Sequence, residues 1–220
     1  MTRVAALDDP RRPRQADADL LSLALIDARN LTLAWLAAFE AAPAPAPGGR
    51  SPLWLAGHAG WYQEYWIARH VQRQRGPRCD ASALRLASIE PAADDAFGPG
   101  GHGQALGYGV LRHYLAATLD LTLDLLASAA ADDDALHFYR LALLHEDRLG
   151  EALAETAALW QLAAGGTNPA PWRPLAPRPA RDPLWLPAQR ITLGSAAGGL
   201  VPDNETGSLA VDLPEFEIDA

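Results

Sequence analysis

Lysine is absent from the sequence, and cysteine and methionine each occur only once. A lone cysteine, Cys79, excludes a disulfide framework and a cysteine-based zinc site, and it predicts a reducing compartment. The 18 cationic residues, all arginines, are outnumbered by 27 acidic ones, which gives a formal net charge of −9. Because a surface of this sign repels phosphates instead of neutralising them, the composition argues against a nucleic-acid partner.

Long apolar runs are also missing. The N-terminal stretch MTRVAALDDPRRPRQ lacks the apolar centre of a secretory signal. The longest apolar region, from Leu20 to Phe39, is interrupted by Asp27, Arg29 and Asn30, which are costly inside a bilayer. We therefore expect a soluble, cytoplasmic protein that does not enter a membrane. Its 220 residues are enough for one domain with a sizeable core and part of a second.

Four segments carry the helical period, with apolar residues three and four apart. The second begins at Ser51, an N-cap residue followed by proline, and Gly76-Pro77 ends it. The fourth opens on three aspartates, which suit the positive end of a helix dipole. Between the second and third segments, residues 90–104 predict a flexible connection. Four helices of similar length predict a mainly α protein with a four-helix bundle. The predicted helices cover about residues 17–41, 51–75, 105–129 and 132–162.

The composition changes after the fourth helix. Residues 165–188 contain seven prolines and predict a linker with polyproline character. Residues 189–220 predict short strands separated by turns, too few to close a core. From Asp203 onward this segment holds six carboxylates and no basic residue. Strands left without their sheet are expected to be disordered, to aggregate, or to pair with another chain.

His145 lies in the helical stretch LHFYRLALLHEDRLGEALAE, and Leu149 follows it one turn later on the same face. Two histidines four residues apart on a helix can hold one metal ion, and Leu149 cannot supply the second ligand. Glu146 and Asp147 are rotated by roughly 100° and 200° around the helix, so they are expected to be solvated or paired. A single helical histidine is most often a hydrogen-bonded polar group, and this remains the simplest interpretation.

The second helix contains another histidine in an unusual setting. In SPLWLAGHAGWYQEYWIARHVQRQRG, His58 lies between Gly57 and Gly60. Glycine costs about 1 kcal/mol relative to alanine in a helix, so two of them indicate close packing or room around the imidazole. The pattern fits an aromatic core with one buried histidine or a metal site. The aromatic residues that follow are Trp61, Tyr62, Tyr65 and Trp66.

Taken together, the His58 helix, the segment HFYRLALLHEDRLGEA, the proline-rich link and LGSAAGGLVPDNETGSLAVDLPEFEID resemble the ergothioneine-type sulfoxide synthases. The selenoneine synthase branch is the most similar. The resemblance implies a DinB-like four-helix bundle over residues 15–164 and a linker over 165–188. Residues 189–220 would be the truncated start of a domain like the formylglycine-generating enzyme. It also implies an iron-dependent oxidoreductase that joins sulfur or selenium to the imidazole of hercynine, using oxygen.

The same resemblance implies roles for individual residues. His58 and His145 match two of the three histidines that bind non-haem iron in that family, and Leu149 stands at the third position. Three imidazoles suit divalent iron and leave positions open. Loss of a residue that supports a metal ligand typically lowers metal affinity by roughly 10- to 100-fold. Loss of a direct ligand should lower it at least as much, so Fe(II) binding is expected to be weak or absent. Arg148 and Tyr62 are candidate substrate contacts, and no catalytic residue is assigned.

The implied substrates are hercynine and a thiol or a selenosugar, and a complementing chain would carry the rest of the second domain. Two further interpretations remain. The chain is either a non-catalytic DinB-like remnant or binding module, or a DinB-type thiol-dependent transferase whose metal is held by fewer protein ligands.

Overall fold

A computed structural model describes residues 12–42, 51–80, 82–100, 106–160, 162, 182–195 and 198–219. The chain divides into two compact units, residues 1–167 and 168–220. The first is mainly helical, as predicted, and the second contains the strands.

Within the described residues, the α-helices of the first unit are α1 (Arg12–Gln15), α2 (Ala18–Glu40), α3 (Pro52–Gln63), α4 (Ala93–Phe97), α5 (Tyr108–Ala127) and α6 (Asp133–Leu159). Asp17 caps α2, Ser51 caps α3 and Asp132 caps α6, each accepting a hydrogen bond from the backbone N–H three residues later. These caps explain why the helices begin where the sequence predicts.

The apolar faces of these helices meet in the interior of the unit. Helix α2 contacts α3, α5 and α6, and α3 also contacts both α5 and α6. Within the described residues, α2 alone is long and apolar enough to cross a membrane by length and composition. The core helix of a soluble protein meets the same criteria of length and composition. Arg29 of α2 is buried and ion-paired inside the unit. The core includes Leu21, Leu25, Leu36, Leu111, Leu115, Leu126, Leu136, Tyr139 and Leu153.

The second long helix ends earlier than predicted. After Gln63 the chain continues as a π-helical turn, Glu64–Ala68, and then leaves the helix instead of running to Arg75. The buried Glu64 carboxylate accepts hydrogen bonds from the Ser88 hydroxyl and the Ile89 N–H. These bonds hold the loop that contains Ser88 and Ile89 against the end of the helix. The prediction failed because these contacts join residues about 25 positions apart.

A short helix also lies where a flexible connection was predicted. Helix α4 occupies part of residues 90–104, and its Phe97 ring is fully buried. A Cβ atom at Gly57 would lie 2.2 to 2.6 Å from three atoms of that ring, so glycine is required for α4 to approach α3. Residues 101–104 of the predicted connection lie outside the described residues.

In the second unit, the strands pair with each other. Strand β1 (Leu184–Leu186) is antiparallel to β4 (Phe216–Ile218), and β2 (Gln189–Leu193) is antiparallel to β3 (Leu209–Leu213). The expectation of unpaired strands is therefore wrong for these residues. Strand β1 also falls inside the predicted linker, whose residues 165–181 lie outside the described part of the chain.

Candidate metal centre

A hydrogen bond fixes the proton on one ring nitrogen of His58, which lies on α3. Its Nδ1 lies 2.7 Å from the carbonyl oxygen of Phe97. A carbonyl only accepts, so Nδ1 carries the proton and donates it. In the neutral form of the ring, the lone pair then lies on Nε2. Metal-binding histidines are typically oriented in this way, with the second nitrogen hydrogen-bonded to a carbonyl or a carboxylate.

Two indoles sandwich the His58 ring. Trp54, one turn earlier, stacks on it with ring centres 4.5 Å apart and an interplanar angle of 14°. Trp61, nearly one turn later, stacks at 5.5 Å and 15°. This spacing places the three side chains along one face of the helix. The imidazole therefore has little freedom to turn.

His145 approaches the same place from α6. Its ring centre is 5.1 Å from that of His58, edge to face, and 3.9 Å from that of Tyr62, nearly parallel. Its Nε2 is buried and has no hydrogen-bond partner among the described residues. Burial, followed by the nearby His58 and Arg148, lowers the pKa of His145 to about 4. At neutral pH the ring is therefore uncharged, the form that binds a metal.

The distance between the two rings fits a shared metal ion. Imidazoles that bind one ion at about 2 Å place their ring centres roughly 4.5 to 6 Å apart, depending on the angle at the metal. The observed 5.1 Å lies inside this range. The buried Nε2 of His145, which has no hydrogen-bond partner among the described residues, is also available to bind a metal ion. The structure therefore brings together the two histidines predicted from the sequence.

The third ligand position does not fit a metal. Leu149 is partly buried and packs on an apolar cluster made by α2, α3 and α6. Within the part of the chain that the structure describes, no group of three His, Cys, Asp or Glu side chains could hold a metal ion. A three-histidine iron centre is thus not supported by this chain as it stands. The cluster around Leu149 contains Trp35, Phe39, Leu55, Leu153 and Ala157.

The two candidate substrate contacts differ in their setting. Arg148 is exposed at the surface of α6 and contributes a positive charge near His145. Tyr62 is partly buried, and burial raises the pKa of its phenol. At neutral pH Tyr62 is therefore protonated, and it serves His145 as a stacking surface.

A buried hydrogen-bonding network, which the sequence did not predict, joins residues next to His145 and Tyr62 in the chain. Arg29 Nε donates to Glu146 Oε1 at 2.8 Å, and its Nη2 donates to Glu146 Oε2 at 3.0 Å and to Gln63 Oε1 at 2.5 Å. Thr32 also donates to Glu146, at 2.9 Å. Glu146 and Gln63 directly follow His145 and Tyr62 in the chain. Arg29 therefore connects the two helical turns that carry His145 and Tyr62. Glu146 was expected to be either solvated or paired, and the structure shows that it is paired.

The sequence contained one signal for this network. Arg29 interrupts an otherwise apolar helix, where a charged residue is costly unless it is paired. Its partners lie 34 and 117 residues away, so they could not be chosen from local spacing.

Comparisons with known proteins add no family. No protein-family model matches this chain, and no curated protein matches it.

Proposed function

We propose that this chain carries the helical, metal-binding portion of an ergothioneine- or selenoneine-type synthase, in a form whose iron binding is impaired. The observation that carries the proposal is the pairing of His58 with His145 at 5.1 Å, with Leu149 one turn after His145. The sequence segments that resemble the family are the segments that supply these residues. In this proposal the helical unit is a DinB-like four-helix bundle and the protein is cytoplasmic.

Divalent iron, when bound in this family, activates oxygen for joining sulfur or selenium to the imidazole of hercynine. The residues of this chain would contribute binding and orientation. His58 and His145 would each donate an Nε2 lone pair, Trp54 and Trp61 would hold the His58 ring, and Tyr62 would hold the His145 ring. The apolar side chain of Leu149 would leave this set one ligand short of the three histidines found in the family.

One observation favours a second candidate function, a metal-free DinB-like binding module. Leu149 packs into the apolar cluster beside α2 and α3, where a leucine side chain contributes to the core. In this alternative the helical unit keeps its fold and has lost its chemistry. The second unit, with its acidic strands, would then be an interaction segment.

Metal titration of the purified protein separates the two candidates. Under anaerobic conditions we expect weak Fe(II) binding by the natural chain. Leu149→His should bind Fe(II) at least about 10- to 100-fold more tightly, by analogy with the cost of losing supporting groups. Leu149→Asn is the matched control, because it introduces polarity without an imidazole and should leave the affinity low.

Two further variants complete the experiment. Adding His58→Asn or His145→Asn to Leu149→His should remove the gain, since each deletes a proposed ligand. If Leu149→His folds and gains no affinity, the proposed metal site is wrong and the binding module is the better account. If the gain persists without His58, the ion lies elsewhere.

A further inference from the structure

Helix α4 is anchored to α3 through one carboxylate. Asp94 accepts hydrogen bonds from Trp61 Nε1 at 2.7 Å and from Arg69 Nη1 and Nη2 at 2.7 and 2.9 Å. The Arg69 guanidinium, by hydrogen bonding, holds the pKa of Asp94 below its usual value. Asp94 is therefore ionised at neutral pH and fixes the start of α4 against the helix that carries His58.

The other end of α4 reaches His58 itself. Phe97 is the last residue of α4, and the last carbonyls of a helix have no partner within it. The Phe97 carbonyl obtains its partner from His58 Nδ1, at 2.7 Å. The ring of Phe97 is buried against Gly57, the residue before His58. One residue thus provides both the packing contact and the hydrogen bond.

We infer that α4 is a positioning element, in which Asp94 and Phe97 hold the His58 proton on Nδ1 and so keep the lone pair on Nε2. Gly57 belongs to this element because it permits the approach of Phe97. The inference deepens the proposed function and rests on it only in giving the Nε2 lone pair a metal to bind. The position of the proton on Nδ1 is inferred from the hydrogen bond to the Phe97 carbonyl.

A contact that served stability alone would leave the tautomer of His58 unchanged when it was weakened. A positioning contact changes it, because a neutral imidazole released from the Phe97 carbonyl exchanges its proton between both nitrogens. The readout is therefore the long-range ¹H–¹⁵N spectrum of the imidazoles, recorded without metal at pH 8. His58→Gln assigns the His58 signals.

In the natural chain the His58 signals should show a protonated Nδ1 and an unprotonated Nε2. Gly57→Ala places a Cβ atom 2.2 to 2.6 Å from the Phe97 ring and should give a mixture of the two tautomers. Gly60→Ala is the matched control on the same helix, because its Cβ meets the Leu115 side chain at 2.7 Å and leaves α4 untouched. It should keep the natural tautomer.

Two more variants make the experiment decisive. Gly57→Ala with Phe97→Leu removes ring atoms from the clash and should restore the Nδ1–H tautomer. Asp94→Ala leaves Gly57 in place and should also give mixed tautomers, so it provides the test if Gly57→Ala does not fold. A natural chain with the proton on Nε2 would overturn the inference. Unchanged tautomers in folded Gly57→Ala or Asp94→Ala would overturn it as well.

Iron binding distinguishes this inference from the proposed function. In the Leu149→His background, Gly57→Ala should weaken Fe(II) binding by about 10- to 100-fold, the usual cost of losing a supporting group, and Gly60→Ala should not. If Leu149→His binds no iron while the tautomer shifts as described, the proposed function fails and the positioning role stands. If Leu149→His binds iron and the His58 tautomer does not shift in the variants, the positioning role fails and the proposed function stands.

Discussion

Arg29 and Glu146 form a two-point ion pair in the interior of the helical unit, with both side chains at most 2% exposed. The pair joins α2 to α6 directly beside His145. Buried charges that lose their partner are left without solvation, whereas intact pairs of good geometry are tolerated. The site therefore requires this buried ion pair in order to fold.

Breaking this pair should destabilise the protein strongly. Arg29→Met leaves the Glu146 carboxylate buried and unpaired, so the free energy of unfolding should fall by about 3 to 5 kcal/mol. Urea denaturation followed by circular dichroism measures the change. Arg78→Met, which breaks an exposed pair with Asp134, is the control and should cost at most about 1 kcal/mol. Equal losses in the two variants would contradict the structural role of the Arg29 network.

Glu64 should control the loop over the end of the π-helical turn. It accepts hydrogen bonds from Ser88, Ile89 and Tyr114. Glu64→Ala should make the Ile89 amide exchange with solvent faster than global unfolding alone explains. Tyr114→Phe removes a single bond to the same carboxylate, so it should cost about 1 to 2 kcal/mol and leave the Ile89 amide protected. Protection of Ile89 in both variants would contradict this assignment.

Helix starts were predictable in this chain because their signals are local. Ser51 followed by proline, and the aspartates before α6, place the caps within a few residues of the helices they begin. The pairing of His58 with His145 was also predicted, but through the family resemblance and not through spacing, since the two lie on different helices.

Features that depend on distant contacts were not predictable. Helix α4 is only five residues long, and its place depends on Gly57 and on the Asp94 ion pair with Arg69. The early end of the second helix likewise follows from the bonds between Glu64 and a distant loop. In each case a buried polar group bonds to a residue that tertiary packing brings near it. A local sequence pattern does not identify that partner.

Acidification should destabilise the metal-free protein, beginning near pH 6.5. Burial is the main cause of a lowered pKa for His70, His137 and His145. Because the unfolded chain binds these protons more readily, the free energy of unfolding should fall as the pH drops from about 6.5, the unfolded value, toward the folded values. Urea denaturation at pH 7.5, 6.5 and 5.5 tests this.

The charges that face the rings of His70 and His137 modify this effect without reversing it. Arg85 and Arg73 lower the pKa of His70 further, whereas Asp134 opposes and Arg140 assists the effect of burial on His137. His137→Gln removes one titrating group and should reduce the slope of stability against pH. A stability that is constant or rises between pH 6.5 and 5.5 would contradict the buried, neutral state of these rings.

Gly194 should be essential for the β2–β3 pair. Its φ of 92° lies in the region that favours glycine, and a Cβ atom there would lie 1.8 Å from the Gly207 carbonyl oxygen. Gly194→Ala should therefore abolish amide protection in β2. Gly207 has a similar φ of 89°, and no atom of the described residues lies within 4 Å of its Cβ position, so Gly207→Ala should cost only the conformational strain of about 1 to 2 kcal/mol. Equal protection in the two variants would show that the clash is relieved.

X-ray absorption at the iron edge counts the imidazoles bound to the metal, and so it tests whether His58 and His145 are ligands. In Fe(II)-loaded Leu149→His we expect three bound imidazoles, and two when either His58→Asn or His145→Asn is added. An imidazole count that does not change when His58 or His145 is replaced would contradict the proposed metal site.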